Sequence, residues 1–475
     1  MFGKQKLILL LTAVLLAVSS TVFSQETLRL SKQDALKMAT QFNTEILNSE
    51  LDLQIAQKKI WETTASGLPQ FSAKGNYQHT FKVPTVSFGG GMELSDQNIP
   101  FDPTTMTGTT SSVTLQNGES IYLNATPGAE IELGVPNYTT FDFTVSQLIF
   151  SGAYIVGLQA SKVYYNFSAN NAEKTKLDVI ESVANTYNVI QLAEESEKIL
   201  KQNLENINKT LYEINEMNKQ GFVEKTDVDQ LELSANTVRN AINQVESNLG
   251  ITYRLLKIQL GIDESTEVKV TDPLESGDSL NITIAALANQ PFVLEQNVDY
   301  KLIQVSEKSA ELQLNLAKSN FLPTISAFYN HTEKINKPAF DFAPKDIIGV
   351  SLNIPIFSSG QRLSIVSQRK MDLEKAVNTR KFVSESLLMQ ATQYQSDLKV
   401  KLENYKNQQK SKQLADEIYQ RTLEKYKQGL ATSLDLMNSQ NQYLTNLTNY
   451  YQSIYDLQSS KTKLEKLFNI NQIQQ

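Results

Sequence analysis

Two histidines, His79 and His331, and two carboxylates, Asp227 and Asp435, are the residues whose placement could carry chemistry in this chain. Duplicated histidines could line a metal site, but only Glu333 supplies a carboxylate within two residues of either, so both read as strand-end residues. Asp227 and Asp435 each lie six residues past a glycine, Gly221 and Gly429. An acid in the first turns of a helix is stabilised by the helix dipole by about 0.3–1 kcal/mol. If identical chains gather round one axis, the same acids repeat as a ring that attracts cations and repels anions. Other chemistry is excluded by what is missing. The chain has no cysteine, which removes disulfides, thiol catalysis, Fe–S clusters and Cys-ligated zinc. Two histidines argue against a Ser-His-Asp triad. No Gly-x-x-x-x-Gly-Lys-Ser/Thr loop cradles phosphate, so any energy comes from elsewhere. A net charge of −7 argues against nucleic acid as a partner. The chain reads as no enzyme, with neither metal nor cofactor.

The elements that position these residues are legible in punctuation and repetition. None of the 12 prolines falls between Asn137 and Asp272 or after Pro355, so long stretches carry no strong helix breaker. At the start, Lys4 and Lys6 precede an apolar run from Leu7 to Val18 and then small residues to Ser24. Residues 1–24 therefore read as a secretory signal, too short for a membrane span. The chain repeats itself. Leu68-Pro69 and the downstream His79-Thr80 recur as Leu322-Pro323 and His331-Thr332. Ile149-Phe150-Ser151-Gly152 is echoed by Ile356-Phe357-Ser358-Ser359-Gly360, and Lys219-Gln220-Gly221 recurs as Lys427-Gln428-Gly429. The repeats divide the chain into a first copy over 25–262, a linker over 263–295 and a second copy over 296–475.

Each copy has the same grammar. A helix (about 31–66, then 296–320) runs into Leu-Pro, where proline ends it, and two short strands follow. Phe141, Phe143 and Val145 alternate with Asp142, Thr144 and Ser146; Ile348, Val350, Leu352 and Ile354 alternate with Gly349, Ser351 and Asn353. One face is apolar and the other wet. A long helical hairpin follows, over 153–260 and 361–468. Gln361 to Gln428 is 68 residues without Gly or Pro, about 100 Å of helix at about 1.5 Å per residue. The return helices alternate three- and four-residue apolar steps, as in Val228, Leu231, Ala235, Val238 and Ile242, then Leu447, Tyr450, Ile454 and Leu457. Outgoing Leu204, Ile207, Leu211 and Ile214 supply the facing seam. The fold class is mostly α with a β-barrel. Four strands of about 10–12 residues cannot close a barrel in lipid, since the smallest bacterial outer-membrane barrels use about eight. The chain must oligomerise, and this arithmetic leaves a dimer and a trimer open.

The residues resemble a known pattern. Leu30-Ser31 with Ala35-Leu36, Ala39 and Asn43, the duplicated Leu-Pro, Pro355-Ile356-Phe357 before Gly360, and Gly221-Phe222-Val223 before Thr226-Asp227-Val228 are similar to the TolC family of outer-membrane efflux channels, over nearly all of residues 28–470. The resemblance implies a homotrimer in the outer membrane, with one twelve-stranded transmembrane barrel continued by a long periplasmic α-helical barrel. It implies an exit duct for a tripartite efflux pump, with a periplasmic adaptor and an inner-membrane transporter. The outer-membrane component of type I protein secretion, with an ABC exporter, is the alternative, and a non-transporting exported coiled-coil protein is the reading from another class. The resemblance makes Gly221, Phe222, Val223, Gly429, Leu430 and Ala431 adaptor-contacting hairpin tips. It places Asp435 at the first of two gate-forming acids, with Asn438 at the second, and pairs Asp227 with Tyr426 in an inter-hairpin latch. Ala431 stands where the family has a latch arginine, which weakens that lock.

Two segments stand apart. Residues 83–136 insert 54 residues between the first two strands, against about 11 in the second copy. Gly89-Gly90-Gly91, Asn117-Gly118 and abundant Ser and Thr read as a solvated surface loop outside the cell with a small extra hairpin. Tyr450, Tyr451 and Tyr455 read as hairpin packing and not as a substrate platform.

Overall fold

The computed structural model describes residues 27–470 apart from 89, 104–106, 127, 275–277 and 339–340, so the leader expected over residues 1–24 lies outside the described residues. The described residues form two compact units, one of residues 60–159 and 314–367, the other of residues 27–59, 160–313 and 368–470.

In the smaller unit, proline sets the strand starts. Leu68-Pro69 precedes β2 (Gln70–His79) and Leu322-Pro323 precedes β10 (Thr324–Lys334). These strands join β8 (Asn137–Ser151) and β11 (Asp346–Asn353) in one antiparallel sheet of order β11-β10-β8-β2. Register follows the alternation in the sequence. Val145 lies opposite both Phe71 and Tyr329, and Phe143 opposite both Ala73 and His331. Tyr329 pairs with Ile348 and Ala327 with Val350. Period-two alternation therefore puts Phe71, Phe143, Val145, Tyr329, Ile348 and Val350 on one face. The other face is a hydrogen-bonded polar ladder. Asn76 donates to Asp142 at 3.2 Å, Thr332 to Asp142 at 2.7 Å and Asn330 to Thr144 at 2.8 Å. Gly75 and Gly349 leave room for the Phe141 and Phe328 rings, each of which a Cβ there would meet at 3.2 Å or less.

The insertion is more ordered than the surface loop with one small hairpin expected from the sequence. It holds β3 (Thr85–Phe88), β4 (Met92–Ser95), β5 (Gly108–Thr114), β6 (Ser120–Ala125) and β7 (Ala129–Glu132). β3 pairs with β7, and β4-β6-β5 form a three-stranded sheet. The Asn117-Gly118 turn lies between β5 and β6, where Gly118 adopts φ +85° and the Leu115 N–H donates to the Glu119 carbonyl.

In the larger unit, β1 (Leu28–Leu30) pairs in parallel with β9 (Val268–Val270). The Tyr187 hydroxyl donates to the Leu30 carbonyl at 3.0 Å and accepts from the Asp272 N–H at 3.3 Å, tying both strands to a long helix. α1 (Lys32–Phe42) and α2 (Thr44–Ala65) split one expected helix at Asn43, whose side chain accepts from the Glu45 N–H and donates to the Gln259 carbonyl. α3 (Gly152–Lys219) and α4 (Lys225–Leu260) form the first hairpin. A short α5 (Asp278–Asn289) and α6 (Val298–Ser319) precede the second, made of α7 (Gln361–Lys427) and α8 (Ser433–Leu467). Among the described residues no helix is long and apolar enough to cross a membrane.

The seams read from the sequence are the core. Leu200, Ile207, Ala235, Val238 and Ile242 cluster within the first hairpin, with Leu204 and Val245 against them. A larger cluster joins the hairpins, with Ile214, Val228 and Leu231 packed among Leu398, Tyr405, Leu436, Leu447 and Ile454. Tyr405 and Tyr450 stack at 5.9 Å, and Tyr419 and Tyr443 at 5.7 Å, so these tyrosines are packing elements. Lys461, which interrupts the apolar seam, lies 3.9 Å from Glu465 one turn later.

Candidate functional site

Both hairpins turn through the same device. At the end of α3 the Gly221 N–H donates to the Asn218 carbonyl and the Phe222 N–H to the Met217 carbonyl; at the end of α7 Gly429 and Leu430 bond Tyr426 and Lys425 in the same way. This double bond pattern is the Schellman motif, which needs a left-handed residue after the helix. Gly221 (φ +79°) and Gly429 (φ +72°) supply it. A Cβ at either glycine would meet nothing within 4 Å. The next residues, Phe222 and Leu430, are 74% and 73% exposed. Val223 and Ala431 turn inward instead, against the cluster that joins the hairpins.

The return helices start differently. In the second hairpin Thr432 is the N-cap of a reciprocal capping box: its hydroxyl accepts from the Asp435 N–H at 3.1 Å, while the Asp435 carboxylate accepts from the Thr432 N–H at 3.0 Å and its hydroxyl at 2.7 Å. These bonds hold the Asp435 carboxyl below the usual carboxylate range. A depressed pKa stabilises the fold above the ordinary value near 4, and that contribution is lost as pH falls through the folded value. In the first hairpin the N-cap is Glu224, with no side-chain cap bond, and Asp227 is half-buried in the opening turn. The Thr432-x-x-Asp435 spacing is the sequence signal for the capping box.

Asp435 and Asn438 are exposed, while Asp227 and Tyr426 approach one another across the two hairpins. Tyr426 is 8% exposed, and its hydroxyl has no hydrogen-bond partner among the described residues. Burial, and secondarily the Asp227 carboxylate, push this phenol up to about 12, so it stays neutral at neutral pH. Within one chain the pair is held by proximity and not by a hydrogen bond. A buried hydroxyl without a partner costs about 1–3 kcal/mol. Tyr426→Phe is therefore expected to keep or raise the melting temperature; a clear fall would show that the hydroxyl has a partner in the assembled protein.

A second polar contact between hairpins has no signal in the sequence. Ser234 of α4 donates its hydroxyl to Gln440 of α8, which donates in turn to Asn203 of α3 at 3.5 Å, with all three side chains buried among apolar neighbours. In some coiled coils a buried polar contact of this kind sets helix register. His79 is the last residue of β2, as expected, whereas His331 lies inside β10, three residues before its end and opposite Asp346 at the start of β11. His79 Nδ1 is 2.7 Å from Asn137 Oδ1, and His331 Nδ1 is 2.7 Å from Asp346 Oδ1. Among the described residues no group of three His, Asp or Glu is placed to hold a metal ion.

Residues 292–469 match the sequence model of the family described as "Outer membrane efflux protein". Comparison with curated protein sequences gives no match. Among solved structures, the CmeC outer membrane channel of Campylobacter jejuni is similar at 17% identity and a TM-score of 0.66, over 92% of this chain and 85% of that one. The outer membrane protein VceC of Vibrio cholerae is similar at 14% identity and 0.68, over 92% and 95%. The open state of the MtrE outer membrane channel of Neisseria gonorrhoeae is similar at 14% identity and 0.65, over 92% and 88%. At these identities the likeness shows a shared fold.

Proposed function

We infer, from a chain whose residues 292–469 match the outer membrane efflux protein family and whose fold is similar to that of outer-membrane channels, that this protein is the exit duct of a tripartite efflux pump. The observation that carries the reading is the four-stranded sheet, apolar on one face and polar on the other, whose outer strands β2 and β11 each have one unpaired edge. Such edges are not tolerated in hydrocarbon, because every backbone polar group there needs a partner. Three copies pairing β2 of one with β11 of the next give a closed twelve-stranded barrel with the apolar face to lipid and the polar ladder to water. The helical hairpins form the periplasmic conduit.

The tips serve two roles. Gly221, Phe222 and Val223, with Gly429, Leu430 and Ala431, contact a periplasmic adaptor, and the exposed Phe222 and Leu430 rims suit an apolar contact. Asp435, Asn438, Asp227 and Tyr426 form the periplasmic gate, in which threefold repetition turns Asp435 into a ring of carboxylates. Asp435→Asn separates charge from capping, since asparagine retains an oxygen that accepts the same backbone bond. Purified channels in planar bilayers are expected to lose part of their cation preference with this change. An unaltered reversal potential under a salt gradient would remove Asp435 from the gate.

A further inference from the structure

The insertion is an outward continuation of the β2/β8 ribbon. Beyond the His79–Asn137 pair, the Thr80 N–H donates to the Pro136 carbonyl at 2.7 Å and the Leu133 N–H to the Pro84 carbonyl at 2.9 Å. β3 and β7 then pair from Thr85–Glu132 to Phe88–Ala129. The Thr126 N–H donates to the Gly91 carbonyl at 2.9 Å, and β4 and β6 pair from Met92–Ala125 to Ser95–Tyr122. A Cβ at Gly90 would stand 2.7 Å from the Thr126 carbonyl oxygen, so the two chains run close enough here to require glycine. The arm is rooted on β2, the sheet's edge strand, and ends in β4, which among the described residues pairs only with β6.

The free edge of β4 has two distinct sides. Met92 and Leu94, 67% and 72% exposed, project to one face. Glu93 and Ser95 project to the other, and a cavity of about 510 Å³ beside the strand is lined by Glu93, Leu94, Ser95, Asp96, Ile99 and Asn124 among others. The only charges on that lining are negative. The same sign holds for the whole insertion: residues 83–136 contain six acids, Glu93, Asp96, Asp102, Glu119, Glu130 and Glu132, and no Lys, Arg or His. Acid-only arms repel one another, which argues against a second copy as the occupant of this edge.

We propose that β4 is a docking edge for a cationic polypeptide segment that adds as an extended strand, with its apolar side chains on Met92 and Leu94 and its alternate Lys or Arg side chains toward Glu93 and Asp96. Strand addition supplies the main-chain bonds that an open edge lacks, and alternate side chains set the specificity. The arm's location outside the cell rests on the channel reading above; its binding chemistry does not.

The test uses the full-length protein in a non-ionic detergent with a labelled peptide of alternating Val and Lys, read by fluorescence anisotropy. Saturable binding is expected, weakened by about tenfold or more in Glu93→Lys/Asp96→Lys. A peptide of alternating Val and Glu is expected not to bind. A second variant, in which a short Gly-Ser linker replaces residues 85–132, is expected to lose binding and keeps the test valid if the charge reversal unfolds the arm. Equal affinity of the Lys peptide for all three proteins, absence of saturable binding, or equal binding of the Glu peptide would overturn the proposal. So would efficient disulfide cross-linking between chains carrying Leu94→Cys, which would identify a second copy as the occupant. The arm is complete within one chain, so binding is read whether or not trimers form; missing trimers would count against the channel reading alone.

Discussion

Val350→Arg is expected to abolish assembled trimers in outer-membrane fractions, while Ser351→Arg, one residue along the same strand, is expected to leave them intact. Val350 lies near the middle of β11, exposed in the single chain and opposite Ala327 on the apolar face. Ser351 faces the other way, on the polar side. An arginine on the lipid side of a barrel costs about 2–4 kcal/mol at the bilayer midplane and little in the lumen. Threefold repetition multiplies that cost per trimer, whereas the net stability of a folded domain is only about 5–15 kcal/mol. The readout is heat-resistant trimer on gels of detergent extracts. Equal trimer yield from the two variants would mean that the apolar face does not meet lipid, and the barrel reading would fail with it.

The main architecture was legible because it is periodic. The seven-residue seams of α4 and α8 and the period-two faces of β8 and β11 are signals that sum over many residues, and the repeat supplies each of them twice. The elements that escaped are short or aperiodic. β1 and β9 are three residues each and 240 apart in sequence, so neither carries a period; they pair with one another, and the Tyr187 hydroxyl bonds Leu30 of β1 and the Asp272 N–H just past β9. The arm escaped for a different reason. Its Ser, Thr and Gly suggest turns, yet threonine is also a good strand residue, and only pairing decides between the two. At the tips, Gly221 and Gly429 announced themselves through the conformation that glycine alone adopts cheaply. Asp435 was visible as a dipole-stabilised acid, but its partner is Thr432, and the bonds between them are local to one turn. The Ser234–Gln440–Asn203 contact joins three helices, and no one-dimensional pattern reports a contact of that kind.

Gly429→Glu and Gly221→Glu provide the second large effect, because at these positions fold and function separate. The open space around each glycine leaves room for a side chain, so the cost to the fold is the left-handed backbone alone, about 1–2 kcal/mol. That is too little to unfold hairpins whose cores run through Leu398, Tyr405 and Ile454. Trimers are therefore expected at normal yield. Docking is another matter, because a carboxylate beside Phe222 or Leu430 would have to be desolvated against an apolar partner. A loss of about 1–3 kcal/mol corresponds to roughly 5- to 150-fold weaker adaptor binding. Efflux should fall accordingly, read as increased sensitivity of cells to pump substrates. Gly→Asn at the same positions is the control, since asparagine tolerates the left-handed region without bringing a charge. If the Glu and Asn variants lose efflux equally, the backbone turn is what matters and the tips are not a docking surface. If the Glu variants retain full resistance, neither role survives.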